Sequence, residues 1–255
     1  MRTFVLSATA SVALLLSGCG YKLGYRYFPG PIMPVAETQQ TEEFNVGDDR
    51  SITFVKGRLE VSLQPITAEM LNRQFEVHSA SPAGFYRDNP YQAPVNPYTY
   101  GDWKPSGEEQ APARFAVFLL KIKNYAYPKV RVDPASIEIT APNGRRYQSL
   151  SLTALIEYYW PYAIAYAGNT YQPFKEREGI LRKTLFNDDM IFSGQEKSGF
   201  VVFPALDDDV EDFEVRIEQM TLRFDYRNEP IETVDIPYQF TREVTYALEP
   251  PATGQ

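Results

Sequence analysis

Apolar and polar residues alternate with a period of two over most of the chain, and long apolar helical faces are few. Ile52-Thr53-Phe54-Val55 and Leu59-Glu60-Val61-Ser62-Leu63 read as strands, the second in clean alternation. Thr67 reads as the N-cap of a short helix over Ala68 to Gln74, with Ile66 and Leu71 at staple spacing around it. Arg114 to Asn124 predicts the most buried strand. Phe115 to Leu120 is apolar at every position, as in a strand covered on both faces, and Lys121 and Lys123 mark its exit to solvent. Val130-Arg131-Val132 and Ile137-Glu138-Ile139 follow as strands. Pro142-Asn143-Gly144-Arg145 predicts a type I′ hairpin turn, because Asn-Gly takes positive φ readily, and Tyr147 lies on the return strand.

Leu152, Leu155, Ile156 and Tyr159 fall at i, i+3, i+4 and i+7, which predicts one apolar helical face ended by Pro161. Tyr162 to Tyr171 is expected to extend this insertion in irregular form. Ile180 to Phe186 reads as a strand, Asn187-Asp188-Asp189 as a turn, and Gly199 to Pro204 as a central strand. After the acidic turn Asp207 to Asp212, Phe213 to Ile217 alternates and continues through Leu222, Phe224 and Tyr226. Arg227-Asn228-Glu229-Pro230 turns the chain back into Val234, Ile236, Tyr238 and Phe240. About nine or ten short strands with turn signals between them predict a β-sandwich. Its core is expected to hold Phe118, Leu120, Ile122, Phe200, Val202, Val215 and Ile217 together.

The two ends and one internal stretch break this pattern. Arg2 is followed by an uncharged apolar run to Leu16 and the small pair Ser17-Gly18, the layout of a secretory signal peptide over 1–18. The run is too short to span a bilayer, which takes about 20 residues. Residues 19–50, with Pro29-Gly30-Pro31 and a polar run from Glu37 to Glu43, read as a tether; the competing reading is an edge strand from Tyr21 to Phe28. A single sandwich domain is expected over 51–245, with insertions near 79–112 and 150–175, and a flexible tail over 246–255. Within the first insertion, prolines exclude regular ladders and helices, and a loop is expected. Between 84 and 105 it carries Phe85, Tyr86, Tyr91, Tyr98, Tyr100 and Trp103.

Leu16-Ser17-Gly18-Cys19 resembles the lipobox of bacterial lipoproteins. The resemblance implies that Cys19 is the acylated N-terminus of the mature chain, held in the cell envelope through its lipid. Gly20 stands where the inner-membrane retention signal has Asp, so the outer membrane is favoured if the cell has one. Two or three acyl chains give lasting attachment where one does not. Cys19 is the only cysteine, so no internal disulfide is expected and the core alone must hold the fold. The formal net charge is −8, and losing the leader removes only Arg2 from the 25 basic residues against 33 acidic ones. Such a surface disfavours nucleic acid and anionic headgroups.

Phe118 to Asn124, Pro134 to Ile139, Asn143 to Tyr147 and Gly194 to Phe203 resemble the immunoglobulin-like, telokin-like domains of bacterial surface lipoproteins. The resemblance implies a mainly β, immunoglobulin-like antiparallel β-sandwich with loop and short helical insertions, and says little about activity.

Candidate chemistry is sparse. His78 is the only histidine, and its neighbours form no triad motif; a structural histidine is the plainer reading. No set of zinc ligands and no phosphate-binding Gly-rich loop is present. Asp207, Asp208, Asp209, Glu211 and Asp212 lack the spacing of a calcium loop and read as a solvated turn. No catalytic residue, metal or cofactor is expected. Three functions compete. The first is a non-enzymatic lipoprotein that binds or scaffolds an envelope protein. The second is a glycan- or peptidoglycan-binding module using the rings of 84–105. The third is a hydrolase without a readable motif. The ring residues Phe85, Tyr86, Tyr91, Tyr98, Tyr100 and Trp103 are the expected contact surface, since Tyr and Trp offer rigid area with a polar tip; the alternative is that they cover the sandwich.

Overall fold

The computed structural model describes residues 25–35, 43–81, 94–106, 111–164 and 170–248. Cys19, Phe85, Tyr86 and Tyr91 lie outside the described residues. The first half of the chain contains β1 (Tyr25–Pro29), β2 (Met33–Pro34), β3 (Phe44–Val46), β4 (Ile52–Lys56), β5 (Leu59–Ile66), α1 (Ala68–Gln74), α2 (Glu76–Ser79) and β6 (Phe115–Asn124). There follow β7 (Lys129–Val130), β8 (Ile137–Thr140), β9 (Arg146–Gln148), α3 (Leu152–Ile164) and α4 (Tyr171–Thr184). The last third is β10 (Ile191–Phe192), β11 (Gln195–Pro204), β12 (Asp212–Phe224), β13 (Pro230–Thr241) and β14 (Val244–Leu248).

Two five-stranded sheets form, in the orders β11-β6-β5-β4-β3 and β2-β13-β12-β8-β9. All their pairings are antiparallel. The result is mainly β and sandwich-like, consistent with an immunoglobulin-like domain. The alternation of β5 places Leu59, Val61 and Leu63 inward, where they meet Phe118, Leu120 and Ile122 of β6 and Val215, Ile217, Ile236 and Phe240 of the opposite sheet. Burying each such side chain is worth about 1.5–3 kcal/mol. Tyr238 crosses between the sheets: its ring packs edge-on to Phe44 at 5.5 Å, and its hydroxyl donates to the Val61 carbonyl at 2.8 Å. That bond satisfies a phenol buried to 0 % exposure, which would otherwise be costly.

β6 and β11 are buried on both faces, as the unbroken apolar run predicts, but the faces divide differently from the expectation. Residues directly opposite on neighbouring strands share a face, and Phe118 pairs with Val201, not with Phe200. Val201 and Phe203 therefore enter the sandwich core. Phe200 and Val202 are buried on the outer face, against Leu155, Tyr159 and Ala163 of α3 and Phe174 and Leu181 of α4. The molecule thus has three layers: helices, sheet, sheet.

Several local expectations change. Ile180–Thr184 is the end of α4 and not a strand, and only Leu185 and Phe186 run along β11. A short apolar run does not distinguish helix from strand, and the wider Phe174–Leu181 spacing decides for helix. Gly199 permits this approach, since a Cβ there would lie 2.6 Å from the backbone of Phe186. Pro161 lies within α3 and does not end it. It sits on the exposed face with Glu157, whose carbonyl lacks the usual helical donor because proline has no N–H. At Pro142-Asn143-Gly144 only Gly144 has positive φ, and its N–H bonds the Ala141 carbonyl at 2.9 Å. Proline fixes φ negative, so the turn is type I followed by a left-handed glycine instead of type I′.

Thr67 caps α1 as expected, accepting from the Met70 N–H at 3.2 Å. Within the stretch expected to be a tether, β1 pairs residue by residue with β14 from Tyr25↔Leu248 to Pro29↔Val244. β2 pairs with the end of β13, and β3 with β4. The paired part of this stretch is therefore sheet, and the expected tail begins inside β14.

Phe118→Ala or Phe203→Ala is expected to cost about 3–5 kcal/mol in chemical denaturation. Tyr226→Ala, at an 85 % exposed ring, is expected to change stability by less than about 0.5 kcal/mol. A loss below about 1 kcal/mol at both phenylalanines would show that the inner faces are misassigned.

Candidate functional site

The segment from Pro94 to Trp103 is sewn onto the outer face of the first sheet. Asn96, fully buried, donates from Nδ2 to the Ser79 hydroxyl at 2.9 Å and accepts the Tyr98 N–H at 2.9 Å. The Asp102 N–H reaches the Ser79 carbonyl at 2.9 Å, and the Asp102 carboxylate accepts the Ser81 N–H at 2.9 Å. Tyr98 is 1 % exposed, with its ring 5.1 Å from Phe200 and 5.7 Å from Phe75. The Thr184 hydroxyl already donates to the Ile180 carbonyl, so the Tyr98 hydroxyl is the donor in their 2.5 Å bond. Tyr98 is thus an internal anchor of the helical layer and not an exposed contact. Tyr100 and Trp103 are half-buried neighbours, ring centroids 5.1 Å apart.

Two arginines occupy the interior of this layer. Arg114, just before β6, is 6 % exposed, and Arg177, on the inner face of α4, is fully buried. The Arg114 guanidinium lies 3.8 Å over the Tyr100 ring and 5.6 Å from that of Tyr159. Arg177 lies 5.3 Å from the rings of both Tyr159 and Tyr162. Desolvated cation–ring contacts of this kind are worth about 2 kcal/mol. Arg114 Nη1 donates to the Tyr159 hydroxyl at 3.0 Å, and that hydroxyl donates to the Pro97 carbonyl at 2.6 Å. Arg177 Nη2 donates to the Pro94 carbonyl at 3.0 Å. Both cations therefore hold down the segment that follows Pro94.

The electrostatics of the cluster follow from burial. Burial opposes the Arg114 charge, but the phenols of Tyr159, Tyr162, Tyr100 and Tyr158 outweigh it and hold its pKa above the ordinary arginine value. Burial pushes Arg177 below that value, and the charge of Arg114 adds to the push. Burial also raises the phenols of Tyr98, Tyr158 and Tyr159. At neutral pH the layer holds two guanidinium cations among neutral phenols. Arg114 has no carboxylate partner among the described residues. Its Nε and Nη2 are buried without an acceptor there, as is Trp103 Nε1. A buried charge of this kind is costly unless paired.

A patch of exposed apolar side chains lies on the helices. Trp160 (52 % exposed), Ile164 (61 %) and Tyr171 (50 %) occupy the end of α3 and the start of α4. Trp160 and Tyr171 flank Phe174 at 5.8 and 6.1 Å. Sequence reasoning missed this patch although a signal was present. Tyr158-Tyr159-Trp160-Pro161-Tyr162 places rings on every side of a helix, and only one side can turn inward.

The acidic turn and His78 have protein partners of their own. The turn at 207–212 is held by Arg145, which bonds the Asp209 carboxylate and lies 3.2 Å from that of Asp207, and by the Tyr147 hydroxyl, which donates to Asp207 at 2.8 Å. Arg242 Nε donates to the Val210 carbonyl at 2.6 Å. Asp188 and Asp189 pair with other cations, Arg131 at 2.7 Å and Lys197 at 3.2 Å. His78 lies in α2, where its carbonyl accepts the Asn96 N–H at 2.7 Å. Among the described residues no group of His, Cys, Asp and Glu is placed to hold a metal, and no helix is long and apolar enough to cross a membrane.

No family model, curated protein or solved structure matches this chain.

The buried phenols set an alkaline limit. Tyr98, Tyr159 and Tyr238 have folded pKa values above the ordinary value near 10. Their neutral forms favour the fold fully below about pH 10, and this contribution is lost as pH rises above that value. Melting temperature is expected to fall steeply above about pH 10 and to fall less steeply in Tyr98→Phe. Equal slopes in the two proteins, measured by thermal melts across that range, would count against the buried-phenol account.

Proposed function

We propose that this chain is a lipid-anchored, non-enzymatic protein of the bacterial cell envelope, whose sandwich carries a docking face for another envelope protein. The lipobox likeness supports the anchor at Cys19 and, with Gly20, the outer membrane. The telokin-like pattern of 118–147 and 194–203 supports a surface-lipoprotein domain. The observation that carries the docking reading is the exposed Trp160, Ile164 and Tyr171 patch on α3 and α4. Exposed apolar side chains gathered on adjoining helices mark an interaction surface more often than scattered ones do.

The anchor and the fold are close together in this reading. Six peptide steps separate Cys19 from Tyr25, the first residue of β1. Fully extended, they reach about 20 Å. The β1–β14 ribbon is then a stem beside the membrane, and the domain does not stand off on a long linker. The glycan-binding alternative retains one supporting feature, the half-buried Tyr100–Trp103 ring pair.

Cys19→Ala is expected to move the protein from the membrane fraction to the soluble fraction of detergent-free lysates. The combined variant Trp160→Ala, Ile164→Ala, Tyr171→Ala is expected to keep stability within about 1 kcal/mol, since these side chains are half-exposed or more. It is expected to abolish the crosslinks that the wild type forms in intact envelopes. Unchanged crosslinks in the folded triple variant would end the docking reading. Retention on peptidoglycan that depends on Trp103 would replace it with the glycan reading.

A further inference from the structure

We propose that the unsatisfied Nε–Nη2 edge of the Arg114 guanidinium is a binding site for a carboxylate. The orientation of the orphaned donors carries the inference. Nη1 is occupied by the Tyr159 hydroxyl at 3.0 Å and faces the Asn96 carbonyl at 3.4 Å. Nε and Nη2 have no acceptor among the described residues, and both are buried. Those two nitrogens form one side of the guanidinium, with parallel N–H bonds spaced to meet the two oxygens of a carboxylate. The Tyr100 ring, 3.8 Å from the guanidinium carbon, covers its flat side and fixes the plane of the fork. Trp103, 5.1 Å from Tyr100 in the same ring cluster, has an indole N–H that is also buried without an acceptor.

Every unsatisfied group here is a donor, so the missing group is an acceptor. The Arg114 charge has no carboxylate against it among the described residues, and its neighbours there are the rings of Tyr100, Tyr159 and Tyr162. A neutral acceptor would satisfy hydrogen bonds and leave the charge. An anion answers both, and a planar two-oxygen anion fits the fork. The site is separate from the proposed docking patch and stands or falls without it.

The chain has two tryptophans, Trp103 and Trp160, so Trp160→Phe leaves Trp103 as the sole indole reporter. This protein is titrated at constant ionic strength with acetate, glucuronate and alanyl-alanine, with acetamide and glucose as neutral controls and inorganic phosphate as a tetrahedral one. The carboxylates are expected to change Trp103 emission saturably and to raise the melting temperature, with no effect of the neutral probes. Tightest binding by glucuronate assigns an acidic sugar, and tightest binding by alanyl-alanine assigns a peptide terminus; both support the site. In Arg114→Lys, which keeps the charge but not the fork, binding is expected to weaken about tenfold or more.

Should that variant fail to fold, the ¹⁵Nε–H resonance of Arg114 in wild-type protein supplies the readout and is expected to shift on titration with acetate. No saturable response in emission or at Nε, or phosphate binding as tight as the carboxylates, would overturn the proposal. So would destabilisation by Asp88→Asn or by Glu108→Gln with Glu109→Gln in a protein that ignores added carboxylate, since the chain would then supply its own anion.

Discussion

The pairing of β6 with β11 is the interaction on which the rest depends. It runs over ten residue pairs, from Gln195↔Asn124 to Pro204↔Phe115, and both faces of the ribbon are apolar through its centre. A two-stranded ribbon of this kind cannot be stable in water with either face bare. One face is closed by the second sheet, through Phe118, Phe203 and Phe240, whose rings meet at 5.3 to 5.8 Å. The other requires a cover of its own. The insertion at 150–175 and the segment after Pro94, which interrupt the sandwich in sequence, supply that cover. They are a structural requirement of the central strands and not additions to a finished fold.

This explains which parts of the fold are legible in the sequence. Period-two strands such as β5, β12 and β13 announce themselves because one side meets core and the other meets water. The helical face of Leu155 and Tyr159 is legible for the same reason. The face assignment within 199–203 is not, because a strand buried on both sides has no polar residues to mark its phase. α4 is hidden for a different reason. Its inner face reads Phe174, Arg177, Leu181, and a fully buried arginine in the middle of the stripe reads as solvent-facing. β1 and β14 pair with each other at the two ends of the chain, a contact that local periodicity cannot show.

The candidate site was half legible. The ring-rich segment stood out, but rings alone do not say whether they face a partner or a sheet. Tyr98 faces the sheet because Phe200 presents an apolar surface there and Thr184 offers an acceptor for its hydroxyl. Trp160 of α3 is instead one of the exposed rings, since a helix with aromatics on all sides must leave some in water. Arg114 gave no signal, since an arginine before a strand ordinarily marks its exposed start.

The two buried faces of the first sheet differ in kind, and the difference locates function. Among the described residues, thirty buried apolar side chains form the cluster between the sheets and eleven the one beneath the helices, and the buried phenol of Tyr238 finds its partner in the opposite sheet. The layer beneath the helices also holds two guanidinium cations, Arg114 and Arg177. The inner layer gains from burial at nearly every residue. The outer layer sets a smaller apolar gain against the cost of desolvating charge. An anion on the Nε–Nη2 edge of Arg114 would offset that cost.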